Sequence, residues 1–311
     1  MLLWDPKSRM FKQRTLLRRS QPDISIFKGR DFSTPKSARK LIDDVFRISD
    51  TNVEGIDGSK EIFIEIPPDQ QNIYGHWLID IIPAYLYARA KTQHQTCMLI
   101  NGEVPEFLAD TLALFGLDLS VVKKSETLPL NGASNSLEVS PFRAFDFYNI
   151  KRYSTAIEPF HFNYSKNTSF KHRPQGRFYF SRSKWKAQTV DSRSLINFKY
   201  VEDFFQKLGF EVIYPEAYTP LELLEYVSTA SIIAGEAGSA MHNSLFVPPE
   251  VKFINLQSFR QEHLIQSALC KIKRQQIAYV WGENETNDWS SNFSIDEASL
   301  KLIAKSNFLD S

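Results

Sequence analysis

Two cysteines in 311 residues, Cys97 and Cys270, are too few and too far apart for a disulfide framework or a cysteine-rich metal site. Both lie in apolar surroundings that suit reduced core thiols. No stretch reaches the roughly 18 to 20 apolar residues that a membrane-spanning helix needs, and no continuous apolar segment precedes a small-residue cleavage site near the N-terminus. The expectation is a chain made and kept in the cytoplasm. An excess of one charge is also missing. With 37 Lys and Arg against 36 Asp and Glu, the whole molecule has no general attraction to nucleic acid. Gly-x-Gly-x-x-Gly after an early strand, the Gly-Lys-Ser/Thr of a phosphate loop and any Asp-x-Asp pair are all absent. The usual metal–diphosphate clamp is therefore missing, no metal site is expected, and any bound diphosphate has to be neutralised by cationic side chains.

What is present is an ordinary globular composition, 42% hydrophobic and 23% charged, in a chain long enough for two domains. Only the first 22 residues are lopsided: Lys7, Arg9, Lys12, Arg14, Arg18 and Arg19 stand against a single Asp5. Such an arm suits a solvated surface first, and a peripheral contact with anionic headgroups on the inner membrane face second. Strand-like and helix-like patterns alternate twice. In the first half, Glu61–Pro67, "TCMLI" and "LSVV" read as strands, and His76–Ala90 and the segment from Pro105 to Gly116 as helices. A loop-like Ser165–Gly176 follows. In the second half, "RFYFS", "EVIY", "SIIAG", "VKFINL" and "IAYVW" read as strands. Between them lie a helix ending at Gly209, one opened by a capping box at Thr219–Glu222, another from about Gln261, and a C-terminal helix opened by a second capping box at Ser294–Glu297. This alternation predicts parallel sheets with helical crossovers in two α/β domains, 1–170 and 171–311.

Chemistry-bearing residues gather at three predicted strand-to-helix junctions. "SIIAGEAGSAMHN" hands a strand to a helix through Gly235, Glu236, Ala237, Gly238 and Ser239. Small residues there let a phosphate reach the unpaired N–H groups and positive dipole end of the helix, although close helix-on-strand packing calls for the same residues. "NIYGHWLIDIIP" places Gly75, His76 and Trp77 at a helix start with Asp80 one turn after His76. At that spacing a carboxylate can hold one imidazole nitrogen and aim the other at a substrate hydroxyl. Trp77 fits either a sugar-stacking platform or a core position. "FYFSRSKWK" ends a strand in Arg182, Lys184 and Lys186, cations suited to a leaving diphosphate or to a solvated loop.

Taken together with the "LGFEVIYPEAYTPLELLEYVSTASIIAG" run, these segments resemble glycosyltransferase family 61, which includes bacterial capsule and lipopolysaccharide enzymes, over roughly Asn72 to Gln257. The resemblance implies a GT-B-like fold of two Rossmann-like domains facing across a cleft, and a nucleotide-diphosphate sugar as donor substrate with no further cofactor. It also implies an inverting, metal-independent transfer of a hexosyl or pentosyl group to a glycan or lipid-linked glycan acceptor. The family's basic donor-phosphate position falls on Arg182, its glycine turn on Gly235 to Ser239, and its His-Asn pair on His242 and Asn243. The second phosphate cation is left between Lys186 and Arg193, because "DSRSLINFK" departs from the family's usual Arg-rich stretch. The acceptor side falls to Asn72, Gly75 and Trp77. His76 oriented by Asp80 is the expected general base, with Glu236 the alternative. Two other readings use the same residues: a non-catalytic nucleotide-sugar or glycan-binding scaffold, and a nucleotide-dependent oxidoreductase, which the absent glycine fingerprint disfavours.

Overall fold

The computed structural model describes residues 2–5, 10–13, 24–28, 62–66, 68–83, 85–86, 89, 96–124, 176–186, 193–259, 265–286 and 291–309. The chain is mixed α/β and separates into two compact units, one of Met1–Ser33 with Phe170–Ser311 and one of Thr34–Ser169. The strands, in chain order, are β1 (Leu2–Asp5), β2 (Met10–Gln13), β3 (Ile24–Lys28), β4 (Ile62–Glu65), β5 (Thr96–Ile100), β6 (Val122–Lys124), β7 (Gly176–Phe180), β8 (Glu211–Ile213), β9 (Ala230–Glu236), β10 (Lys252–Ser258), β11 (Gln276–Asn284) and β12 (Phe293–Ser294). The helices are α1 (Pro68–Gln71), α2 (Tyr74–His76), α3 (Leu108–Ala113), α4 (Ser183–Lys186), α5 (Phe198–Lys207), α6 (Pro220–Ser228), α7 (Ile265–Lys273) and α8 (Glu297–Lys305). The expected loop 165–175, and the start of the helix expected from about Gln261, lie outside the described residues.

In the larger unit the sheet runs β12-β11-β10-β9-β7-β8, with β3 also paired to β11. The five strands β7 to β11 are mutually parallel, as the alternating pattern predicts. The edge is different: β12 and β3 both pair antiparallel to β11. Strand β11 is nine residues long, enough to hold β3 along Gln276–Val280 and β12 at Glu283–Asn284. The alternation along each strand sorts its side chains between two helical layers. Tyr179, Ile232, Ala234, Ile254, Leu256, Ala278 and Val280 face one way and pack with Val201 and Phe205 of α5 and Leu300 and Ile303 of α8. The opposite face carries Gly235 against Met241, and Tyr279, whose hydroxyl accepts from the backbone N–H of Ser267 on α7. Within the first layer Tyr179 stacks on Phe205 at 4.8 Å between ring centroids.

Local signals decide the helix starts. Thr219 accepts from the Glu222 N–H while the Glu222 carboxylate accepts from the Thr219 N–H, so the expected capping box opens α6. The second box is not where the sequence pattern puts it. Ser294 lies in β12, and Asp296 is the N-cap of α8, its Oδ1 accepting from Ser299 N–H at 2.7 Å. Ser294 is held in the sheet by pairing with Glu283 of β11, so the helix begins two residues later, at Asp296. The segment after the glycine turn is also not α-helical. It is a 3-10 helix, Ser239–Phe246.

The smaller unit contains the three-stranded parallel sheet β4-β5-β6. "LSVV" is a strand only from Val122. Asp118 caps a 3-10 turn over Leu119–Val121, its side chain accepting from Ser120 N–H. β1 and β2 form an antiparallel pair inside the expected basic arm, while Lys7, Arg9, Arg14, Arg18 and Arg19 lie outside the described residues. Among the described residues no helix is long and apolar enough to cross a membrane.

Candidate active site

The carboxyl ends of β7 and β9 lie side by side in the larger unit, with Phe180 opposite Gly235. The residues that follow converge. Arg182 donates two bonds to the glycine turn: its backbone N–H to Glu236 Oε1 at 3.2 Å, and its guanidinium Nη1 to the Ala237 carbonyl at 3.2 Å. The Arg182 side chain lies beside Gly238: a Cβ built there would sit 3.5 Å from its Cδ, Nε and Cζ, in ordinary van der Waals contact. A pocket at this point is lined by Arg182, Arg193, Glu236, Ala237 and Phe293.

Arg193 reaches the pocket from a segment with an unusual backbone. Its φ is 72°, a left-handed conformation that costs a non-glycine residue on the order of 1–2 kcal/mol. Bonds just after it hold it there. Ser194 N–H donates to Asn292 Oδ1, Phe293 N–H to the Ser194 carbonyl and Ile196 N–H to the Phe293 carbonyl. Asn197 adds a two-way bond to the backbone of Ile295. The sequence leaves the second cation between Lys186 and Arg193. Of the two, Arg193 lines the pocket, whereas Lys186 ends α4 and its side chain lies outside the described atoms.

The glycines of the turn do different work. A Cβ on Gly235 would meet Phe180 Cβ at 2.9 Å, the Phe180 carbonyl at 3.0 Å and Met241 Sδ at 3.0 Å, so this glycine permits close strand-on-strand and helix-on-strand packing. Gly238 is the N-cap of the 3-10 helix, with extended backbone, and it offers no side-chain oxygen to the first-turn amides. His242 and Asn243 turn inward. His242 Nδ1 lies 3.2 Å from Gln266 Oε1 on α7, and Asn243 Nδ2 donates to the Ala240 carbonyl. Both are buried and neither lines the pocket.

Behind the pocket stands a group that the sequence pattern does not single out. Ser181 is wholly buried, and its Oγ–H donates to Glu202 Oε1 on α5 at 2.5 Å. Ser183 Oγ–H donates to the same oxygen at 3.0 Å, and Ser183 N–H donates to Ser181 Oγ at 3.1 Å. The available signal was a carboxylate set directly beside the buried Val201 in an otherwise amphipathic helix.

In the smaller unit, His76 sits beyond the carboxyl ends of β4 and β5. Gln71 ties this corner together: its Nε2 donates to the Ile66 carbonyl, its Oε1 accepts from Asn101 N–H, and its backbone carbonyl accepts from Trp77 Nε1 at 2.7 Å. Immediately after α2 the helix widens into a π-helical turn over Trp77–Ile81, with Ile82 N–H bonded to the Trp77 carbonyl. His76 Nδ1 and Asp80 Oδ2 are 2.6 Å apart, with Asp80 buried and His76 27% exposed. A buried carboxylate accepting from Nδ1–H fixes the tautomer that presents Nε2 as a base. Trp77 is a core residue and not a sugar platform, because it is wholly buried with its indole N–H bonded to Gln71. Gly75 is buried as well, and Asn72 is exposed. Among the described residues no three His, Cys, Asp or Glu side chains cluster as metal ligands would.

No curated protein matches the chain. A family model does: that of Glycosyltransferase 61 matches residues 74–254, more than half of the sequence and both junctions just described. The chain belongs to glycosyltransferase family 61 and is a transferase enzyme that binds a sugar donor and a glycan acceptor.

Proposed function

We propose that this family 61 glycosyltransferase moves a sugar, with inversion, from a nucleotide-diphosphate sugar to a glycan hydroxyl, the departing diphosphate resting between Arg182 and Arg193. The reading rests on one observation: two arginines line one pocket beside a helix start that has no side-chain cap, at the carboxyl edge of a parallel sheet. Arginine suits this task because its planar fork matches phosphate oxygens two at a time. Ser239 opens the helix beyond the turn, and the Arg182 side chain lies beside Gly238.

In a single displacement the acceptor hydroxyl attacks the anomeric carbon as the diphosphate oxygen leaves. One group takes the hydroxyl proton and others absorb the charge developing on the leaving group. His76 Nε2 takes the proton and Asp80 stabilises the resulting imidazolium. Glu236 is less suited to that role, since it is buried and its Oε1 already accepts the Arg182 amide. In this reading the fold is GT-B-like, with the donor on the larger unit and the acceptor on the smaller. The acceptor class, a bacterial surface polysaccharide or lipopolysaccharide, follows the family resemblance. Charge neutralisation by arginine replaces a metal ion.

Isothermal titration of UDP, GDP, ADP and dTDP tests the donor half. The tightest binder of the wild-type chain should lose at least tenfold in affinity with Arg182→Ala. Unchanged affinity removes the pocket from donor binding.

A further inference from the structure

We infer that Glu202 is a positioning residue for the donor pocket, acting through Arg182 by clamping the turn on which that arginine stands. This rests on the reading of Arg182 as a diphosphate ligand. The turn is gripped from two sides. On one side Glu236 Oε1 accepts the Arg182 N–H. On the other, one oxygen of Glu202 accepts the hydroxyls of both Ser181 and Ser183, the residues flanking Arg182. Ser181 Oγ in turn accepts the Ser183 N–H, closing a small ring around the arginine's own backbone.

The bonds have a clear physical sense. Ser181 N–H still belongs to the sheet, donating to the Ile213 carbonyl at the end of β8. From Ser183 the chain is helical. Arg182 is therefore the single residue at the corner, and its direction follows from the backbone on either side. α4 is only four residues long and cannot hold that corner by its own hydrogen bonds. Glu202 supplies the constraint from α5, whose Val201 and Phe205 are anchored in the core beneath the sheet. Charge-assisted bonds from two hydroxyls to one carboxylate oxygen make that constraint stiff. A guanidinium aimed in advance binds phosphate without first losing its freedom, which is how a group outside the pocket raises affinity inside it.

A double-mutant cycle separates this role from a general contribution to folding. Affinity for the tightest of UDP, GDP, ADP and dTDP is measured by calorimetry for wild type, Glu202→Ala, Arg182→Ala and the double variant. Glu202→Ala should weaken binding about tenfold, and the double variant should bind no more weakly than Arg182→Ala alone. Glu202→Gln should recover to within about threefold of wild type, since its carbonyl can accept both hydroxyls, whereas Glu202→Asp, one methylene shorter, should not. If Glu202→Ala does not fold, Ser183→Ala removes one strand of the clamp and should weaken binding severalfold. Unchanged affinity in Glu202→Ala or Ser183→Ala alongside a loss in Arg182→Ala overturns the clamp and leaves the donor reading standing. Losses that multiply in the double variant overturn it too. A normal Arg182→Ala defeats the donor reading itself.

Discussion

At the scale of single residues, the two proposed half-reactions depend on side chains with opposite settings. His76 keeps an exposed edge while its partner Asp80 is buried, so the pair is oriented by the core and open to solvent. His76→Ala should lower turnover a hundredfold or more with nucleotide affinity retained, the signature of a lost base. Unaltered turnover would exclude His76. Asp80→Asn should cost nearly as much, because an amide can hold the ring in the wrong tautomer. Tyr179 gives a contrasting prediction. Its hydroxyl is wholly buried and meets no hydrogen-bond partner among the described residues, and burial followed by the nearby carboxylates Glu236 and Glu202 holds its pKa well above the ordinary tyrosine value. Removing an unpaired buried polar atom relieves a penalty, so Tyr179→Phe should be neutral or raise stability by about 1 kcal/mol in denaturant unfolding. A clear loss would mean that the hydroxyl has a partner, such as a buried water.

At the scale of elements, legibility followed how local the determinant is. The Thr219 capping box, the parallel strands β7 to β11 and the His76–Asp80 spacing are short-range patterns, and each was readable. The start of α8 was misread because two candidate caps lie two residues apart and only the geometry chooses Asp296. β3 went unread because a five-residue strand at the sheet edge is defined by its partner, β11, some 250 residues away. Trp77 was ambiguous because burial is a property of the packed corner: nothing in "YGHW" says that Gln71 will claim the indole N–H. Glu202 has only its place beside Val201 to mark it, because its serine partners are set by packing. Helix α7 carries a further test. Burial lowers the pKa of Lys273 from its ordinary value to about 8, with Glu250 opposing the shift. The folded state then binds the proton less well than the unfolded chain, whose lysine titrates near the usual value of about 10.4. Below pH 8 the full penalty applies, and stability gained at this site should rise as pH climbs from about 8 toward 10. Lys273→Met should therefore stabilise the protein at pH 7 and lose most of that advantage near pH 10, measured as the difference in midpoint from wild type at each pH.

At the scale of the whole molecule, the division into two units gives the proposed reaction a separable logic. All the residues assigned to the diphosphate lie in the unit of residues 1–33 and 170–311, and the proposed base with its carboxylate lies in the unit of residues 34–169. Ligand that binds only the native state raises its stability by RT ln(1 + [L]/Kd), about 2.7 kcal/mol at a hundred times Kd. For domains of 150–250 residues, 1 kcal/mol corresponds to roughly 2–4 °C in midpoint. A nucleoside diphosphate at that excess should thus raise the melting midpoint by several degrees in the wild-type chain and equally in His76→Ala. In Arg182→Ala at the same ligand concentration the shift should fall by about half, since a tenfold loss of affinity leaves about 1.4 kcal/mol of that stabilisation. The same scan with NAD(P) probes the competing oxidoreductase chemistry, and stabilisation by NAD(P) alone would reverse the assignment of the pocket. If His76→Ala lost the nucleotide shift as completely as Arg182→Ala, donor binding would not be confined to the larger unit, and the two proposed half-reactions would have to share one set of residues.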